Sequence, residues 1–400
     1  MNRTNILRHT LGWVLLLFLL GAGVGCQEQA PRPGLAVRDG TLTLQGKPYR
    51  GMGINCVQCF WKVLRDPENR DFVEGFRILR EDYQIPFIRF AACGFLAREW
   101  KLYAENPKEY FRRMDLIVRE AEKRGLGLIP SLFWWKAAVG DWCREPLGEM
   151  RDPLSKTRAF YRKYATDFTN RYKDSPAIWG WEIGNEYLLG ADLPGPAHLQ
   201  VPQPGSEIPR TAVDKLTRPM MLDLYRELHK TMREIDPHRM IATGDAMPRK
   251  GAWNNRHRDA WGIDTRQQWL EMFITDTPEA FSVTSVHLFP ENSGYFKGEE
   301  VGVEELLREV AREARRHGRV VWVGEFGAAA KDKPYGPAEE EMVRRMLGSI
   351  KETGVELSAP WNFSPPGESF KPTNDITPTN ERAWVLEEVR RFNQEAHKNP

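Results

Sequence analysis

Short apolar runs rich in β-branched and aromatic residues recur along the chain at 49–55, 85–90, 127–132, 178–183, 240–244, 282–287, 320–325 and 356–361. Runs of this length and composition read as buried strands. Between them the apolar residues return at helical spacing, over 107–124, 154–172, 220–235, 303–317, 338–353 and 381–396. The fifth helix is the weakest in the pattern: 246–275 holds Trp253, Trp261 and Trp269 and reads mostly as an extended loop before a short helix. A strand-helix unit repeated eight times predicts an α/β chain folded as a (β/α)8 TIM barrel, with its functional residues at the carboxyl ends of the strands.

Ahead of the first run, 35–50 alternates apolar and polar residues around Asp39-Gly40, the pattern of a short hairpin, placed here as a cap on the bottom of the barrel. Long polar or Pro-rich stretches follow the strands at 189–210, 289–302 and 364–379, so all of them are expected on the catalytic face. No repeat beyond the strand-helix unit and no low-complexity linker divides the chain, which implies one catalytic domain over 35–400.

The first residues differ in kind. Arg3 and Arg8 precede the apolar run 11–25, then Cys26 and a polar stretch. This is the order of a secretion signal, and the apolar core is short for a membrane span. Residues 1–25 are therefore expected to be a signal peptide of lipoprotein type, 26–34 a polar linker, and Cys26 a lipid-anchored first mature residue. Ordinary signal cleavage, or an uncleaved anchor, are the alternatives. Either way the remainder is expected outside the cytoplasm, as an outer-membrane or cell-surface lipoprotein or as a periplasmic or secreted protein. Cys56, Cys59, Cys93 and Cys143 are then free to form disulfides or stay as buried thiols. Only Cys56 and Cys59 have metal-ligand spacing, and without a compact second pair no zinc site is expected.

Composition narrows the function. Lys and Arg number 57 against 55 acidic residues, interspersed along 400 residues, so no nucleic-acid partner is implied. Trp is abundant, at 14, and many of these residues follow the apolar runs instead of lying inside them. Flat aromatic surfaces at strand ends suit the apolar C–H faces of sugars.

Two acids stand out. The strand at 178–183 runs into Asn185 and Glu186, and the strand at 320–325 ends in Glu325. Barrel closure brings both to one cleft, where a retaining glycoside hydrolysis needs a nucleophile and an acid/base about 5–5.5 Å apart. Glu325 is assigned as the nucleophile and Glu186 as the acid/base, whose carboxyl must be protonated before attack. Arg89, at the end of the second run, is placed to orient Glu325, and Asn185 to hydrogen-bond the sugar hydroxyl beside the reacting carbon.

The ordered set GMGIN, IRF, GWEIGNE, TSVH, VGEFG and PWNFS resembles glycoside hydrolase family 5, over essentially the whole mature chain. By that resemblance Glu186 matches the acid/base, Glu325 the nucleophile, Arg89 the carboxylate-positioning arginine and Asn185 the sugar-binding asparagine. His287 resembles the histidine that ends the sixth strand, and Trp361 the platform beneath the reacting sugar. Two departures are visible: the third strand ends in Ser131 to Trp135 without the common histidine, and His287-Leu288-Phe289 lacks the usual phenol.

Trp134, Trp135, Trp253 and Tyr187 complete the expected sugar-binding set, each with core or wall packing as its alternative. The resemblance implies a β-linked glucan or mannan as substrate, endo cleavage being favoured over oligosaccharide trimming, and two-carboxylate hydrolysis requires neither metal nor cofactor. A non-catalytic carbohydrate-binding barrel is the competing class. The oligomeric state is not legible.

Overall fold

The structure, a computed structural model, describes residues 33–396 apart from 196–199, 205, 207, 291–293, 329–334, 368 and 372. The expected signal segment and Cys26 lie outside the described residues. No helix among those described is long and apolar enough to cross a membrane.

Eight parallel strand positions surround one axis. Gly51–Met52 and Ile54–Asn55 form a first strand interrupted at Gly53, and it joins two runs of sheet. On one side follow Phe87–Ala91, Gly127–Phe133, Trp181–Gly184 and Ile241–Ala242. On the other lie Leu357–Pro360, Val320–Phe326 and Val283–Leu288. The seam between the fifth and sixth strands carries no ladder among the described residues. The Gly244 N–H instead donates to Ser285 Oγ at 3.2 Å.

The alternation of a pleated strand sends every second side chain into the barrel. Phe87, Ile129, Met240, Ala242, Val283, Val320, Trp322, Leu357 and Ala359 form one apolar cluster there, and Leu35 and Leu42 of the hairpin join it. Leu35–Arg38 and Thr41–Leu44 pair antiparallel. The Leu35 N–H donates to Trp179 O, and Leu35 O accepts from Met240 N, so the hairpin closes the amino-terminal end of the barrel. The opposite end is left for polar side chains.

A second, larger core lies between strands and helices. Helix Val303–Arg316 shows why it forms: Val303, Leu306, Leu307, Val310, Ala311 and Ala314 are buried at helical spacing, with Arg and Glu on the outer face. Replacing Leu306 with Ala would cost about 2–5 kcal/mol. Helix Pro107–Arg124 begins at Asn106, whose side chain accepts from Glu109 N, and stops at Gly125 in the left-handed region.

The region after the fifth strand contains more structure than its sequence pattern suggests, namely helices Ala252–Arg258 and Arg266–Asp276. The first is almost wholly polar, and the second has apolar residues around most of its circumference, so neither shows a clean apolar stripe. Trp269 is fully buried in the core. Cys59 and Cys93 are buried free thiols, Cys143 is a half-buried one, and Cys56 is buried.

Candidate active site

Arg89 stands at the centre of the open end. Its side chain is fully buried, and its Nε donates to Glu182 Oε1 at 2.8 Å. One terminal nitrogen reaches Glu325 Oε1 at 2.7 Å and Asn55 Oδ1 at 3.2 Å, and the other reaches Asn185 Oδ1 at 2.8 Å. Burial alone would lower its pKa, but Glu182 and Glu325 outweigh that and raise it. A guanidinium forks across four partners in a way lysine does not. With its oxygen held by Arg89, Asn185 keeps its amide nitrogen for the cleft.

Glu325 reaches this group through an irregularity in its strand. Val286 pairs with Val323, and the next residue, His287, pairs with Glu325, leaving Gly324 as the extra residue. Trp322 points into the barrel, so strict alternation would aim Glu325 outward; the bulge turns it in. A Cβ on Gly324 would lie 3.1 Å from His287 Nε2, so a larger residue at the bulge would press on that imidazole. Asn55 Nδ2 donates to Gly324 O at 2.8 Å and fixes this backbone from the first strand.

Glu186 comes from the turn after the fourth strand. Its backbone is left-handed at φ 53°, unusual for a residue with a side chain, and its N–H is held by Gly244 O. His287 Nδ1 lies 2.8 Å from Glu186 Oε1 and 3.8 Å from Glu325 Oε1. One atom from each of Glu186, His287 and Glu325 falls within 4.8 Å of the others. Such a donor set suits a divalent cation in principle. Here a fixed cation, Arg89, already neutralises the Glu325 oxygen that His287 faces.

His287 enters the electrostatics of the carboxylate pair. Burial lowers the His287 pKa, but the charges of Glu325 and Glu186 and the bond to Glu186 raise it above its ordinary value of 6.5. Burial raises Glu186, yet the His287 hydrogen bond and the charges of His287, Lys136 and Arg89 leave it below its ordinary 4.5. Burial raises Glu325 against the pull of His287 and Arg89. These directions favour the charged forms of His287 and Glu186 side by side, so the imidazole is a proton source within reach of the acid/base candidate.

The aromatic candidates separate. Trp361 is half-buried and faces Trp134 at 6.1 Å and 25°, and Phe370 meets Trp361 edge-on. Phe95 contacts both Trp134 and Phe370, and Arg89 lies over the Trp134 ring. These rings wall the cleft on the Arg89 side. Trp135 is 44% exposed beside Lys136. Tyr187 does not border the cleft: it is fully buried and its hydroxyl bonds Tyr161. The left-handed turn at Glu186 sends the following side chain back toward the helices. Trp253 is likewise turned away, with its indole on Glu271 and its ring against His257. Trp261, 53% exposed, lines a cavity of about 580 Å³ beside Glu186.

The sequence model of cellulases, glycosyl hydrolase family 5, matches residues 76–366. The chain belongs to this family. Among curated relatives, mannan endo-1,4-beta-mannosidase F of Aspergillus fumigatus is 35% identical over 139 residues, covering 34% of this chain and 26% of that one. Mannan endo-1,4-beta-mannosidase 7 of Arabidopsis thaliana is 25% identical over 178 residues, covering 39% and 41%. Another Arabidopsis thaliana sequence is 26% identical over 294 residues, 63% of each chain, so the family 5 chain spans less than two thirds of the length of these relatives. The fold is that of the endo-1,4-beta-mannanase of Rhizomucor miehei, at TM-score 0.65 and 15% identity over 92% of this chain and 100% of that one. The catalytic domain of the Thermobifida fusca endoglucanase superposes at TM-score 0.55 and 15% identity, over 90% and 100%.

Two groups of this family 5 site were not singled out from sequence. Glu182 is fully buried, accepting from Arg89 and from Trp322 Nε1 at 2.9 Å. Its signal was an acid in the middle of an otherwise apolar strand. Asn55 ties the first strand to the seventh and eighth, and nothing in its local pattern marks that role.

Proposed function

We propose that this family 5 chain is a retaining, endo-acting glycoside hydrolase of β-1,4-linked mannan. The observation that carries the reading is the approach of Glu186 and Glu325 to within 4.8 Å at the ends of the fourth and seventh strands, with Arg89 on one and His287 touching the other. That separation fits double displacement and leaves no room for the water an inverting pair needs.

In the first step the Glu325 carboxylate attacks the anomeric carbon as the bond to the leaving oxygen breaks, and Glu186 gives that oxygen a proton. In the second, water attacks the glycosyl ester, passes its proton to Glu186 and releases Glu325. The proton for the first step comes from His287. Glu186 is 31% exposed and His287 only 1%, so a substrate that displaces water desolvates Glu186 far more and draws the proton across their 2.8 Å bond. Asn185 donates to the hydroxyl beside the reacting carbon, and Trp361 carries the sugar face.

Mannan is favoured over glucan because the named relatives are mannan endo-1,4-beta-mannosidases. The product ladder from β-1,4-mannan and from β-1,4-glucan tests the choice. A spread of internal fragments from mannan supports it, and release of single sugars only, or cleavage of glucan alone, overturns it. The reading extends to location: Arg3, Arg8, the apolar run and Cys26 support export and lipid attachment. Incorporation of labelled fatty acid that disappears in Cys26→Ser tests the anchor.

A further inference from the structure

Beyond Glu186 the cleft opens into the cavity of about 580 Å³, walled by Leu189, Arg249, Trp261 and Tyr295 among others, and by none of the rings around Trp361. If Glu186 protonates the leaving oxygen, this is the side on which the leaving sugar lies. Arg249 lines it, and Lys136, its ammonium over the Trp135 ring, lies close to Arg249 and Glu186; neither has a carboxylate partner among the described residues. Arg249 spends its Nε on Leu189 O at 2.6 Å. Lys136 is 7% exposed and packs its stem under Gly190.

The acids nearby do not answer these charges. Asp264 accepts from Trp253 N and from Asn254. Asp245 accepts from Leu188 N, and burial pushes its carboxyl up to about 7. Glu186 lies within the field of both cations, but it is engaged with His287. Taking a cation out of water without a partner is costly, and the cost is offset when a ligand brings the counter-charge.

We infer that the leaving-group side of the cleft binds an acidic sugar, a uronic or aldonic acid residue whose carboxylate meets Arg249 and Lys136. This rests on the hydrolase reading for the direction of the leaving group, but its test needs no turnover. Arg249 offers a planar fork suited to a carboxylate, and Lys136 a point charge behind it.

Calorimetric titration of the full chain compares two β-1,4-linked mannose disaccharides differing only at the reducing end, one oxidised to the aldonate and one reduced to the alditol. The aldonate is expected to bind about tenfold more tightly at low salt, as a charge-assisted hydrogen bond provides, with the preference shrinking at high salt. Arg249→Gln and Lys136→Gln should each reduce the preference while alditol binding stays unchanged, and Arg249→Lys should retain part of it. Equal affinity for the two sugars in the unaltered chain would overturn the inference, as would a preference that both Gln variants leave intact. A loss of aldonate and alditol binding together in Arg249→Gln and Arg249→Lys would also overturn it, assigning Arg249 to the framework. Whether neutral mannan is cleaved is read separately and judges the hydrolase proposal alone.

Discussion

His287 Nδ1 sits 2.8 Å from Glu186 and 3.8 Å from Glu325, so a single imidazole bridges the two carboxylates. With its pKa raised above 6.5, it lets the pair His287–Glu186 keep a proton to a higher pH than a lone carboxyl would. His287→Gln leaves Glu186 to hold that proton alone. The basic limb of kcat/KM, which reports the free enzyme, is expected to move about one pH unit or more toward acid. A limb that stays in place would remove His287 from the proton path.

Glu186 and Glu325 should fail in different ways. Glu186→Gln is expected to slow hydrolysis of unactivated mannan by about 10²–10⁴-fold. An aryl glycoside with a good leaving group bypasses the acid, and added azide, which needs no base, should restore its second step. Glu325→Gln should abolish turnover on both substrates. Steady-state rates with and without azide separate the two, and azide rescue of Glu325→Gln as a β-glycosyl azide would reverse the assignment.

Stability should follow a different acid. Glu182 is fully buried against Arg89, and breaking a buried pair costs about 3–5 kcal/mol. Glu182→Gln is therefore expected to lower the unfolding midpoint clearly, while Glu186→Gln, at a half-exposed carboxyl, changes it little. Denaturant melts of the two variants check the contrast.

Asp245 adds a pH dependence. Its folded pKa is about 7 against an ordinary 3.8, so the stability it contributes is fully present below the unfolded value and is lost as pH rises through the folded one. Asp245→Asn should flatten the fall in stability between about pH 4 and 7. Unfolding measured across that window gives the answer, and an unchanged slope would place the dependence on other groups.

Trp361→Ala should weaken mannan-oligosaccharide binding by about tenfold, the scale of one aromatic platform. The measurement is the affinity of the Glu325→Gln background with and without the change. An equal change at Trp253 should do nothing, since that indole is occupied by Glu271.

Much of this architecture is legible in the chain. The eight strand runs lie within a few residues of the observed strands, because β-branched and aromatic runs bounded by helical spacing leave few alternatives. The acids at 186 and 325 are visible because they interrupt buried strands at their ends. What pattern does not carry is direction. The bulge at Gly324 reverses where Glu325 points, and the left-handed turn at Glu186 sends Tyr187 into the wall. Pairing is equally hidden: Glu182 looks like a third acid until Arg89 and Trp322 are seen to hold it. Trp253 and Trp261 have similar surroundings in sequence, and only the helix starting at Ala252 decides which one meets the cavity.

Double displacement at Glu325 is tested most directly by the stereochemistry of the first product. Proton magnetic resonance of a β-mannan oligosaccharide during rapid cleavage resolves the new reducing end before it mutarotates. The β-anomer is expected to appear first, with the α-anomer following at the spontaneous rate. Initial release of the α-anomer would mean a single displacement by water, and a nucleophilic Glu325 facing Glu186 across one glycosidic bond would be wrong.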